Sequence, residues 1–131
     1  MTEPRTDTTR LQRMARAYAE SAVLYAALDL ELFTHIAGGA DTDSALARAL
    51  DITPLNVERI LTACLALGLI VREGERLVNA PDAERFLVRD RPGYAGAWMT
   101  FTMPDVRRWF ELTGRPCGTR PRPPSWAITP T

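Results

Sequence analysis

The chain has 131 residues, 46% of them hydrophobic and 24% charged, which is enough for one domain with a buried core and excludes general disorder. Sixteen basic residues balance sixteen acidic ones, so no net charge draws the molecule toward nucleic acid or a membrane surface. The N-terminus lacks the apolar stretch of a signal peptide, and no apolar run is long enough to cross a bilayer, so we expect a cytoplasmic protein with no membrane segment.

The first predicted element is a long helix that begins near Thr9. Its apolar residues recur at spacings of one, three and four and mark a single face: Leu11, Met14, Ala15, Tyr18, Ala22 and Tyr25. Over residues 21–28 the polar face nearly disappears. A helix that is apolar all round must be covered on both sides. We therefore predict that one side meets the domain's own core and that the other side needs a second partner.

The next segments read as a winged helix-turn-helix. A short helix ends at Gly38–Gly39, and Thr42 can cap a helix through "DSALARAL". Thr53 and Pro54 then begin a further helix, whose buried series is Val57, Ile60, Leu61, Cys64 and Leu65. Gly68 ends that helix, and "LIV" and "RLV" form a hairpin around residues 72–75. The predicted fold class is mainly α, a winged helix-turn-helix with a small β-hairpin and a long first helix.

The C-terminal part of the sequence changes character twice. Residues 94–114 are rich in aromatic residues and methionine and predict two helical pieces broken near Pro104. Residues 115–131 hold five of the ten prolines and have no apolar period, so they are expected to be disordered. The predicted organisation is a disordered segment at 1–8, a domain at 9–114 and a disordered tail at 115–131.

The residues offer little chemistry for nucleic acid, metal or catalysis. The helix after Pro54 exposes one arginine beside one glutamate, and the turn "REGER" carries two of each, whereas a DNA-binding surface needs several unpaired cations. A small winged-helix transcription regulator is the alternative function. Cys64 and Cys117 have no partner at metal-ligand spacing. His35 is interpreted as a structural or surface residue, and no carboxylate pair or triad is present.

Five ordered pieces of this sequence resemble a known family. They are "AALDLELF", "TDSALARAL", "RILTACLALGLI", "LVNAPDAERFLV" and "PGYAGAWMTF", and together they cover about residues 15–114. They resemble the N-terminal dimerisation domain of class I S-adenosylmethionine-dependent O-methyltransferases, of the plant phenolic type and the bacterial type that tailors aromatic polyketides. The sequence departs from that pattern at Glu31 and Asp51, where such domains often have glycine, and in a shorter turn of the wing.

The resemblance implies a module that pairs with a second copy of itself through its long first helix. Four residues are then expected at the dimer interface, Tyr18, Leu24, Tyr25 and Leu28, with an ordinary core inside one chain as the alternative. Four others are candidates for the wall of an aromatic acceptor pocket: Trp98, Met99, Phe101 and Met103. Their alternative is simple packing against the first helix.

The resemblance also implies what this chain lacks. In such enzymes a Rossmann-like domain follows, with a glycine-rich loop for the methyl donor, an acidic residue for its ribose and usually a histidine base. No glycine of this chain forms such a loop after a strand. We therefore expect no catalytic, cofactor-binding or metal-binding residues here, and S-adenosylmethionine would belong to the missing domain. The expected partner is a second copy or a full-length O-methyltransferase, with the chain either a truncated remnant or a stand-alone accessory subunit.

Overall fold

The computed structural model describes residues 6–112, which belong to two compact units that divide between Thr100 and Phe101. The elements are α1 (Thr9–Arg16), α2 (Tyr18–Asp29), α3 (Leu32–Ala37), α4 (Asp43–Leu50), α5 (Pro54–Ala66), β1 (Ile70–Glu73), β2 (Arg76–Asn79), α6 (Pro81–Phe86), α7 (Gly96–Phe101) and α8 (Met103–Glu111). The fold is mainly helical with a small antiparallel sheet, which confirms the predicted class. The predicted tail at 115–131 and most of the predicted segment at 1–8 lie outside the described residues.

The predicted long first helix is present as two helices, α1 and α2, which meet at Ala17. This residue keeps helical dihedrals (φ −59°, ψ −28°), but its N–H donates to the Met14 carbonyl at 3.3 Å, three residues back. Such a bond tightens one turn toward the 3₁₀ pattern without ending the helical path. Nothing in the sequence around Ala17 predicts this break.

The two predicted N-caps are both confirmed. The Thr42 hydroxyl accepts from the Ala45 N–H at 3.2 Å and begins α4, and the Thr53 hydroxyl accepts from the Asn56 N–H at 3.3 Å and begins α5. Each cap satisfies one of the donors that a helix start leaves unpaired. Pro54 occupies the first turn of α5, where its missing N–H costs nothing.

Helix α5 ends at Ala66, and Leu67 and Gly68 follow it in a Schellman motif. The Leu69 N–H donates to the Cys64 carbonyl at 3.0 Å and the Gly68 N–H to the Leu65 carbonyl at 3.1 Å. This arrangement needs a left-handed residue, and Gly68 has φ +70°. The chain therefore turns sharply out of α5 and runs directly into β1, as the sequence predicts.

The hairpin is short and is attached to the body of the domain. Strands β1 and β2 pair in antiparallel register from Ile70 opposite Asn79 to Glu73 opposite Arg76. Gly74, at φ +63°, takes the first position of the two-residue turn, where positive φ is required in a type II′ hairpin. On the outer edge of β2, the Leu77 N–H donates to the Asp41 carbonyl at 2.7 Å. This bond ties the wing to the loop that precedes α4.

One hydrophobic core joins α2 to α6 and the hairpin. Its largest fully buried side chains are Phe33, Leu32, Leu46, Leu61, Ile70, Leu77 and Cys64. Asn79 is the buried polar residue of this core. Its amide nitrogen donates to the Phe33 carbonyl at 2.9 Å and to a Glu84 carboxylate oxygen at 2.7 Å. A single amide therefore links β2 to both α3 and α6.

The second unit contains α8. Thr102 is the single residue between the end of α7 and the start of α8. The predicted break near Pro104 is confirmed, although Pro104 itself lies in the first turn of α8, where proline is tolerated. Asp105 accepts from Arg108 at 3.2 Å on the exposed surface of this helix.

The two residues at which the sequence departs from the glycines that the resemblance implies, Glu31 and Asp51, have left-handed backbone conformations. Glu31 has φ +52° and Asp51 has φ +51°, so each non-glycine residue occupies a region that normally costs energy for a side chain with a Cβ. Asp51 follows the last turn of α4 and has the conformation that helix ends usually assign to glycine. Glycine would adopt the same backbone without this cost, which is a physical reason for the glycines that the resemblance implies at these two positions.

We expect Asp51→Gly to raise the free energy of unfolding by roughly 0.5–1 kcal/mol, because glycine removes the left-handed strain. Urea unfolding followed by circular dichroism measures the change. Ala49→Gly, at an exposed position inside α4, is the matched control and should lower the same quantity by about 1 kcal/mol. A loss of stability in Asp51→Gly would contradict the assignment of strain to this residue.

Candidate functional site

The most unusual surface of the first unit is an apolar strip on α1 and α2. We call it the outer strip, and it consists of Leu11, Met14, Ala15, Tyr18, Ala22 and Tyr25. Helix α1 has no buried residue, and the exposed fractions of Leu11, Met14 and Tyr18 are 59%, 57% and 70%. Tyr25 is half-buried. The strip therefore leaves three large apolar side chains mostly in contact with solvent.

The outer strip lies on the side of the helix away from the core. Helical residues advance by about 100° each, so the nine residues from Tyr18 to Ala27 rotate the side chain by roughly 180° modulo a full turn. Ala27 is 0% exposed and lies where α2 packs on the rest of the domain, whereas Tyr18 is 70% exposed. The strip and the core occupy opposite faces of one helix. The first unit cannot cover both with the same contacts.

The four residues expected at a dimer interface divide between these two faces. Tyr18 lies on the outer strip, and Tyr25 lies on it at half exposure. Leu28 is 5% exposed within the core, and Leu24 packs against that core, as the alternative of an ordinary intramolecular core requires. Leu11 and Met14, which the helical period places on the same face as Tyr18, are both more exposed than Leu24 and Leu28.

The four candidate residues of the acceptor wall also differ among themselves. In the first unit, Trp98 on α7 is 71% exposed, whereas Met99 is half-buried and packs against the core cluster, as its alternative requires. In the second unit, Phe101 is 81% exposed and Met103 is 44% exposed. Two aromatic rings and one thioether therefore present apolar surface that their own units do not cover.

The wing arginines are already paired within the chain. Arg72 binds the Asp43 carboxylate at 3.1 Å, and the Arg76 Nε donates to the Asp41 carboxylate at 2.7 Å. On α5 the guanidinium of Arg59 donates to the Asn56 side-chain carbonyl at 3.4 Å. A phosphate backbone is bound by cations that can exchange their counterions for it, and these pairs reduce that capacity. Nothing in the described structure supports the nucleic-acid alternative.

The described residues also show little that could perform chemistry. Residues 6–112 contain no group of three or more histidine, cysteine, aspartate or glutamate side chains placed to hold a metal ion. Within the same range, no helix combines the length and the apolar character that a bilayer crossing requires. Burial raises the pKa of the Cys64 thiol to about 11, so this side chain stays a neutral, unreactive thiol near pH 7. His35 is half-buried on α3.

Comparison with known proteins gives one family. The model of the O-methyltransferase dimerisation domain matches residues 12–89. Among curated relatives, the tetracenomycin polyketide synthesis 8-O-methyl transferase of Streptomyces glaucescens is 38% identical over 87 residues, which are 66% of this chain and 26% of that protein. The 3-hydroxy-5-methyl-1-naphthoate 3-O-methyltransferase of Streptomyces sahachiroi is 31% identical over 119 residues, 88% of this chain and 34% of the relative.

Solved structures agree with the fold. An O-methyltransferase family protein from Burkholderia thailandensis superposes with a TM-score of 0.75 at 25% identity, covering 85% of this chain and 33% of the other. The chain spans about a quarter to a third of the length of the curated relatives it matches. The match thus concerns one domain of larger enzymes.

We expect Cys64 to resist thiol modification in the folded protein at pH 8, because burial keeps its thiol protonated and covered. Modification by an aromatic disulfide reagent should proceed only as fast as the chain unfolds and become rapid in denaturant. The Cys117→Ser variant isolates the Cys64 signal. Rapid labelling of the native protein at pH 8 would contradict the expected resistance of Cys64 to modification.

The raised pKa of Cys64 also gives the stability of the fold a defined pH dependence. This thiol leaves the free energy of unfolding unchanged below the unfolded pKa of 9.0. The free energy of unfolding then falls as pH rises from 9.0 to the folded pKa of about 11, because only the unfolded chain loses the proton in this range.

Proposed function

Since the chain belongs to the O-methyltransferase dimerisation domain family, we propose that it forms a homodimer through the outer strip and that its role is subunit assembly rather than catalysis. The observation that carries this proposal is the exposure of Tyr18 on the side of α2 opposite fully buried Ala27. Self-association of a dimerisation domain is what the family match indicates. The finer claim, that the strip is the surface in contact, rests on the exposure and direction of its side chains.

Burial of the outer strip in a contact between two copies would be favourable in free energy. Full burial of a leucine or methionine side chain stabilises by roughly 1.5–3 kcal/mol, and an isolated soluble subunit rarely leaves a contiguous apolar patch without a use. A two-fold symmetric contact uses each exposed side chain twice, because the same patch is present on both copies. The gain must offset the loss of translational and rotational freedom of about 4–15 kcal/mol. Leu11, Met14 and Tyr18 therefore matter most, since they have the most area to bury.

We further propose that the exposed aromatic residues form part of an acceptor pocket wall. The two curated relatives named above are described as methylating a polyketide and a hydroxynaphthoate. A flat aromatic acceptor of this class would be bound by apolar, polarisable side chains. Trp98 is the candidate of the first unit, and Phe101 and Met103 are the candidates of the second, each unit taken by itself. Met99 would contribute indirectly, by fixing α7 against the core.

The methyl donor would be bound elsewhere in a complete enzyme. The binding site for S-adenosylmethionine and the catalytic residues would lie in the remaining two-thirds or more of an enzyme of the relatives' length. A full-length O-methyltransferase is a second candidate partner, because its own dimerisation domain would offer the same kind of surface. In this proposal residues 9–114 form the assembly domain, and the flanking segments at 1–8 and 115–131 take no part in it.

We expect Tyr18→Asp to weaken the dimer by at least tenfold in dissociation constant, because the substitution places a charge at the centre of the apolar contact. Sedimentation velocity from 1 to 100 μM measures the change, and far-UV circular dichroism checks that the variant is folded.

Leu55→Asp is the matched control for this variant. Leu55 is 53% exposed on α5, away from the outer strip, and its replacement should leave the dissociation constant unchanged. A folded wild-type monomer throughout the range would refute the homodimer. Equal weakening by both substitutions would remove the assignment to the strip.

We expect a hydroxynaphthoic acid at millimolar concentration to shift the indole N–H resonance of Trp98 more than those of the other two tryptophans. The reason is that Trp98 presents an uncovered ring on α7. Proton–nitrogen correlation spectra measure the shifts, and Trp98→Phe assigns the resonance. Equal shifts for all three indoles, or none at saturation, would contradict a place for Trp98 in the acceptor wall.

A further inference from the structure

We propose that Glu31 and Arg89 are positioning residues for the acceptor wall, because their ion pair restrains the loop from which α7 and Trp98 extend. Their effect on binding rests on the acceptor wall proposed above, whereas the restraint on the loop rests on contacts within the first unit. The device is particular to this chain, because Glu31 occupies a position at which the resemblance implies glycine.

Helix α7 depends for its position on the loop that precedes it. Residues 87–95 form this loop between α6 and α7. At its end the Ala95 N–H donates to the Phe86 carbonyl at 2.8 Å, which closes the loop next to the start of α7. Within α7, Met99 packs against the core, whereas Trp98 is mostly exposed. The placement of Trp98 is therefore set by the way the loop and Met99 hold the helix.

Arg89 attaches this loop to α3 and to the turn before it through two bonds. Its backbone N–H donates to the Thr34 hydroxyl oxygen at 2.9 Å, and its guanidinium binds the Glu31 carboxylate at 2.7 Å. Leu32 and Phe33 lie between these two partners in sequence and are fully buried in the core. The loop is therefore attached to a part of the chain that the core holds in place.

A second ion pair attaches the same loop to α6. Arg91 binds the Glu84 carboxylate, and its guanidinium also donates to the Glu84 carbonyl at 3.2 Å. The Glu84 carboxylate in turn accepts from the buried Asn79 amide at 2.7 Å. These contacts do not involve Glu31. Loss of the Glu31 carboxylate should therefore loosen the loop without detaching it.

The Glu31–Arg89 pair fixes geometry more than it adds stability. An ion pair between side chains that are 38% and 54% exposed contributes little to the free energy of unfolding. The left-handed backbone of Glu31, at φ +52°, costs a residue with a Cβ at least a comparable amount. The two contributions therefore nearly cancel. What remains is a restraint on Arg89, for which a glycine in place of Glu31 would supply no carboxylate.

Amide hydrogen exchange of the full chain tests this restraint without any ligand. In Glu31→Gly we expect the Ala95 amide to exchange about threefold faster, as the loss of one weak ion pair allows. The free energy of unfolding should stay unchanged or rise, because glycine removes the left-handed strain. A general weakening of the fold would instead lower the free energy of unfolding. Unchanged exchange of Ala95 in this variant would overturn the restraint.

Two further variants separate the ion pair from other effects of substitution. Glu31→Arg combined with Arg89→Glu restores a pair of opposite polarity and should return the Ala95 exchange rate close to that of the wild type. Arg72→Gln breaks the exposed ion pair with Asp43 on the wing and should leave the Ala95 rate unchanged. Failure of the double variant to restore slow exchange, or equal acceleration in Arg72→Gln, would overturn the role of the Glu31–Arg89 pair.

Titration with a hydroxynaphthoic acid measures the consequence for the acceptor wall. The dissociation constant read from the Trp98 indole resonance should rise by about threefold in Glu31→Gly and stay unchanged in Arg72→Gln. An unchanged constant in Glu31→Gly, together with faster Ala95 exchange, would overturn the positioning role. Absence of binding to the wild type would overturn the acceptor wall and the positioning role with it, and exchange at Ala95 would still decide whether the ion pair restrains the loop.

Discussion

The structure depends on one constraint, which is that the continuous helical path of α1 and α2 has apolar side chains on two opposite faces. On α2 the side that contains Ala27 packs onto α5, and that contact organises the core of the first unit. The opposite side continues the apolar period through Tyr18 and into α1, where no residue is buried. Within the described residues this face stays exposed at Leu11, Met14 and Tyr18. The proposed association between chains would cover it.

The wing shows how a fold shared with DNA-binding proteins can lack their chemistry. The order of α4, α5 and the hairpin is consistent with a winged-helix-like domain, since β2 lies against the loop before α4 and α5 leads directly into β1. The charges, however, are balanced inside the chain, with Arg72 and Arg76 held by aspartates. The same ion pairs that link the wing to the rest of the domain also reduce the capacity of its arginines to bind phosphate. Function has to be argued from the surface rather than from the fold.

Much of the fold could be predicted from the sequence, because its signals are local. Caps such as Thr42 and Thr53, and the glycine that ends α5, depend on a few neighbouring atoms and appeared where the residue types indicated. The break at Ala17 left no such signal. Assignment of side chains to the outer face was harder, because a helix that is apolar all round has no amphipathic direction to read. Leu24 and Leu28 therefore resembled Tyr18 in sequence although they lie toward the core.

Asn79 has a consequence for the chemical ageing of this protein. Deamidation would replace its amide nitrogen by oxygen. Two donated hydrogen bonds, the buried one to the Phe33 carbonyl and the partly buried one to the Glu84 carboxylate, would become repulsive contacts. That reaction begins with attack by the backbone nitrogen of Ala80 on the side-chain amide. In the folded chain the Ala80 N–H is bonded to the Leu69 carbonyl at 3.0 Å, and Asn79 itself is buried. Folding thus protects the molecule from a lesion that would destabilise it, and the damage should accumulate in chains that have already unfolded.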